Sequence, residues 1–120
     1  MLDISNGVQT VSAAGPLASV SVSQISGDWT AFSEVVSLTA GMNAHFQIEQ
    51  SIDGFTTSQP VLEVDTAGAV SKEADKVCSV RKYELAGNDY IGVLNARLRV
   101  NVLSIDPGCT LAVRAWLTTP

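Results

Sequence analysis

Charge is scarce in this chain, and positive charge is the scarcest. Only 16% of the 120 residues are charged, with 7 Lys and Arg against 12 Asp and Glu and a net charge of −5. Soluble domains usually carry about 25%. The tightest cationic groupings are Arg81-Lys82, Arg97 with Arg99, and Lys72 with Lys76. None is large enough for a phosphate-tracking surface, so a nucleic-acid partner is not expected. No run of about 18 apolar residues occurs, so no helix of this sequence is expected to cross a membrane. The opening residues Met1 to Gly7 lack the basic and apolar regions of a secretory signal. Synthesis in a cytoplasm, from a complete gene starting at this Met, is the expectation. There are 2 cysteines, Cys78 and Cys109. They are too few for a disulfide framework and lack metal-site spacing. Free, partly buried thiols or one bridge between neighbouring strands are the two readings.

Chemistry-bearing motifs are also missing. The G-x-S-x-G elbow, H-E-x-x-H, paired C-x-x-C, the EF-hand loop, G-x-G-x-x-G and the P-loop are all absent. The single histidine, His45, lies opposite in parity to Phe46 and Ile48 and is expected to face solvent rather than serve a triad. Asp28, Asp53, Asp65, Asp89 and Asp106 fall at turns, where Asp is a standard turn former. Glu49 and Glu63 are expected as solvent-facing strand carboxylates rather than a glycosidase pair. No catalytic residue, metal, cofactor or small-molecule substrate is therefore expected, and the chain is not read as an enzyme.

What is present is strand pattern. Hydrophobic residues make up 46%, enough with this length for one core and too many for long disorder. Short alternating or β-branched runs occur at 20–23, 34–39, 44–51, 61–64, 77–83, 97–105 and 110–118. In the last run Leu111, Val113, Ala115 and Leu117 share one face, and Trp116 lies on the other. Asp53-Gly54, Ala86-Gly87-Asn88-Asp89 and Asp106-Pro107-Gly108 supply turn chemistry. Turns at this spacing between about seven or eight strands predict an all-β, antiparallel β-sandwich or jelly-roll-like fold, with a barrel sharing the pattern. Residues 17–120 are expected as one domain, with residues 1–16 as a flexible N-terminal arm. The interval 67–76 has room for one helical turn.

Several segments occur together in a familiar layout. Ile48-Glu49-Gln50-Ser51-Ile52-Asp53-Gly54 runs into Phe55-Thr56. Tyr90-Ile91-Gly92 leads through Arg97 to Val102 into Gly108-Cys109-Thr110-Leu111-Ala112-Val113. Across residues 29–118 this resembles small β-sandwich structural proteins of tailed bacteriophages, although Gly92 stands where those proteins often carry a cation. The resemblance implies a virion structural protein, and the size and acidity suit a capsid decoration or cement protein. The implied partners are the major capsid protein and copies of the chain itself, as a trimer, on the capsid surface. A carbohydrate- or receptor-binding module of a tail or surface protein is the alternative. The residues expected to make the interface are Leu2, Ile4, Val8 and Val11 of the arm, pairing with a neighbour's sheet edge. Trp29, Phe32 and Phe55 are expected as apolar anchors at one end of the sandwich.

Overall fold

The computed structural model describes residues 2–22, 29–67, 81–87 and 96–118, the side chains of 29, 30, 81–87 and 96 excepted. Within them lie ten strands and no helix. They are β1 (Leu2–Asp3), β2 (Gln9–Val11), β3 (Gly15–Pro16), β4 (Val20–Val22) and β5 (Trp29–Leu38), then β6 (Ala44–Ser51), β7 (Gln59–Asp65), β8 (Arg81–Gly87), β9 (Ala96–Ile105) and β10 (Leu111–Thr118). Two antiparallel sheets pack as a sandwich. One runs β1-β10-β5-β8 with β2 also on β10, and the other runs β3-β9-β6-β7 with β4 also on β9.

The period-2 pattern explains the layers. Ala31, Ser33 and Val35 of β5 and Leu111, Val113, Ala115 and Leu117 of β10 are buried from one sheet. Phe46, Ile48, Val64, Leu98, Val100 and Val102 are buried from the other. Alternation of this kind lets one face of each sheet bury apolar area while the other meets water. Cys109 is a free thiol inside the same core. Cys78 and the 68–76 part of the expected helical turn lie outside the described residues.

Three bulges adjust the registers. They fall between Ala112 and Val113 against β5, between Ile48 and Glu49 against β7, and between His45 and Phe46 against β9. The last leaves Leu103 as the extra residue, turned outward and exposed. At one end of the sandwich, side chains tie the loops together. Asn43 N–H donates to Asp106 Oδ2 (2.8 Å), Ala44 N–H to Thr66 Oγ1 (2.8 Å), and Thr110 N–H to Thr39 Oγ1 (2.9 Å).

Residues 2–16 are not a free arm. Leu2 and Asp3 pair with Leu117 and Trp116, and Gln9, Thr10 and Val11 with Val113, Ala112 and Leu111. Gly15 and Pro16 then pair with Val102 and Asn101, and Val20 to Val22 with Leu98 to Ala96. One chain segment thus edges both sheets, crossing between them at Ser12 to Ala14. Its Ser, Ala and Gly content looks arm-like in sequence, but Ile4 finds a complete apolar socket at 0% exposure.

Candidate functional site

The outer face of the β9-β6-β7 sheet carries the densest side-chain network. Glu49 stands on β6 opposite Arg99 of β9. Its Oε1 accepts from Arg99 Nε at 2.5 Å, and its Oε2 accepts from Gln47 Nε2 (2.7 Å), Ser58 Oγ (3.3 Å) and Asn101 Nδ2 (3.5 Å). These partners leave the residue 1% exposed, so the expected solvent-facing carboxylate is in fact enclosed. Burial pushes the Glu49 carboxyl up. The Arg99 hydrogen bond, with Gln47, the Arg99 charge and Asn101, outweighs burial and holds it below its ordinary value.

The β6-β7 connection folds over this cluster. Asp53-Gly54 does sit in a hairpin, but within a seven-residue loop, 52–58, rather than a two-residue turn. Ser51 Oγ donates to Asp53 Oδ1 (2.6 Å) and accepts from Phe55 N–H (2.9 Å). Thr57 donates to Asp53 through its N–H (3.0 Å to Oδ1) and its hydroxyl (2.6 Å to Oδ2). The Ser51 hydroxyl, then Thr57, bring the exposed Asp53 carboxyl down to about 2. Phe55 has φ 66°, a left-handed backbone that a bulky residue adopts only when its surroundings over-determine it. The Ser51 bond to its N–H fixes the backbone here, and its ring lies on Arg99, whose guanidinium carbon is 3.8 Å from the Phe55 ring centroid. Along the same face Arg97 donates to Ser19 Oγ (2.7 Å), Ser19 O (3.0 Å) and Ser21 Oγ (2.8 Å). His45 pairs with Glu63 at 2.5 Å, in keeping with an outward histidine.

The other outer face holds an aromatic pair. Phe32 and Trp116 are register partners and stack with centroids 5.1 Å apart at 11°. Arg114 lies 4.7 Å from the Trp116 centroid. Trp116 therefore faces outward by parity yet is only 9% exposed.

The expected interface residues do not converge. Leu2 and Val11 pack against the core and Ile4 is inside it, while Val8 is 52% exposed on the β1-β2 turn. Phe32 lies on one sheet and Phe55 in the β6-β7 loop over the other, and each is engaged within the chain. Trp29 begins β5, and its side chain lies outside the described residues. Sequence reasoning missed the Glu49 cluster because its members, 47, 49, 99 and 101, are joined by strand register, and 58 by the fold of the β6-β7 loop. The one local signal was opposite charge on outward parity of two long strands. No protein-family model matches the chain, and no curated protein matches it.

Proposed function

We propose that the chain is a virion structural protein, a decoration or cement protein on the outer face of a phage head. The observation that supports this reading is how the fold uses its charges. Arg97, Arg99 and Glu49 are engaged inside one outer face, and Arg114 lies on an aromatic ring on the other. Among the described side chains, these engaged charges need not be stripped of water unpaired when another protein covers the faces. The capsid surface is the location this reading implies, and the major capsid protein is the partner. Binding would then stabilise the shell by adding contact free energy present only in the assembled state. A glycan-binding reading is less favoured, because the described rings offer no open aromatic platform. Phe46 is in the core, Phe32 and Trp116 cover one another, and Phe55 lies against Arg99.

The test is the copy number of this 12.6 kDa chain on purified particles, measured by mass spectrometry against the major shell protein. A fixed simple ratio to the shell subunit is expected. A handful of copies per particle moves the role to a tail or vertex, and absence from particles overturns the reading.

A further inference from the structure

We propose that β1-β2, residues 2–11, is an exchangeable hook that docks on β10 of a second copy of this chain. The inference goes beyond the virion reading and does not depend on it.

The segment is folded within itself. Gly7 N–H donates to Asp3 Oδ2 (2.9 Å), Ser5 Oγ to Gly7 O (2.6 Å), and Gln9 Nε2 to Asn6 O (2.9 Å). Asn6 and Gly7 take φ 56° and 79°, a left-handed pair that Asn and Gly adopt at little cost. These bonds hold the turn from Asp3 to Gln9 within the segment itself, which reduces the ordering cost of redocking.

Its attachment is compact and repeats in every copy. Between the two short ladders, Ile4 and Ser5 clamp one residue. Ile4 N–H and Ser5 N–H donate to Ala115 O (2.9 and 3.2 Å), and Ala115 N–H donates to Ser5 Oγ (2.9 Å). Ile4 fills the core socket beside this clamp. A second copy offers the same socket, clamp and ladder, so exchange regenerates every contact and changes only the link. That link is Ser12-Ala13-Ala14, three exposed residues with small side chains. It turns the chain from the β10 edge to the β9 edge, where Gly15 and Pro16 stay paired. Straightened, three residues span about 10 Å, enough to deliver the hook to an adjacent copy.

The experiment uses two full-length versions of different mass, a tagged Thr10→Cys and an untagged Ala112→Cys. Thr10 and Ala112 are register partners across the β2-β10 ladder, so a hook of one copy on the other's β10 sets the two new thiols side by side. The two are mixed, incubated at high concentration and oxidised. A covalent tagged–untagged dimer is expected, well above the levels given by tagged Thr10→Cys with unmodified chain and by untagged Ala112→Cys with tagged unmodified chain, which together account for the native thiols. A mixed band no stronger than those controls overturns the proposal. A second variant removes Ala13 and Ala14, so that the hook cannot turn back onto its own β10. Light scattering is expected to give about twice the 12.6 kDa mass, with the strand signal retained. A folded monomer in that variant equally overturns the proposal. Neither measurement uses particles, so its failure leaves the copy-number test untouched.

Discussion

Ser33 faces the core between Ala31 and Val35 with no exposure, and its hydroxyl has no hydrogen-bond partner among the described residues. A buried unpaired hydroxyl carries its desolvation cost without return. Ser33→Ala is therefore expected to leave stability unchanged or raise it by up to about 1 kcal/mol in urea unfolding. A clear loss would mean that the hydroxyl has a partner. Glu49 is the opposite case, because its oxygens accept from four side chains. Glu49→Ala leaves Arg99 without its carboxylate. Removing one member of a buried pair costs about 3–5 kcal/mol, and the partial exposure of Arg99 places this loss near 2–3 kcal/mol. Glu49→Gln, which keeps the shape and one acceptor, should lose less. Equal losses for the two variants would assign the whole effect to the carboxylate charge and none to the retained shape and acceptor.

At the scale of elements, the edges are managed by shortness and chemistry. The N-terminal edge is broken into pieces of two or three residues, and β7 carries Pro60, Glu63 and Asp65. These are the usual means of discouraging unwanted strand pairing. The N-terminal pieces nevertheless contribute to the core. Ile4→Ala should cost about 2–4 kcal/mol, read from the urea midpoint at constant slope. A cost below about 0.5 kcal/mol, the level of an ordinary surface change, would mean that β1 is not docked. For the same reason, deleting residues 1–12 is expected to weaken the fold itself and cannot isolate an interface. Three of the long strands are legible from alternation: β6 matches its expected bounds, and β9 and β10 begin within a residue of theirs, whereas β5 starts at Trp29, five residues before the expected 34–39. The pieces β1 to β3 are not legible, because two or three residues carry no period. Register with β10 and β9 makes them strands.

At the scale of the whole molecule, acid is the lever. Asp53 and Glu49 both sit below their ordinary values of 3.8 and 4.5 in the folded chain. Each therefore adds stability that is complete above those ordinary values and is lost as pH falls toward the folded value, about 2 for Asp53. The melting temperature should hold from pH 7 to about 5 and decline between about 4.5 and 2, with a shallower decline in Asp53→Asn. An identical decline in both proteins would remove Asp53 from this account. Val8 is the exposed apolar residue of the N-terminal turn, and Val8→Asp should leave the melt unchanged. Under the virion reading it should also lower copy number on particles, and unchanged occupancy there would take this turn out of the shell contact. Composition and alternation by themselves determined an all-β antiparallel fold with half-buried strands, leaving sandwich, jelly roll and barrel open, because a period of two residues with few charges has few other ways to bury its apolar face. Tertiary structure alone decided that the N-terminal segment edges both sheets, that Glu49 is enclosed, and that the outward Trp116 lies covered by Phe32. Each depends on which strands become neighbours and in what register, and that is set by contacts between residues far apart in the chain.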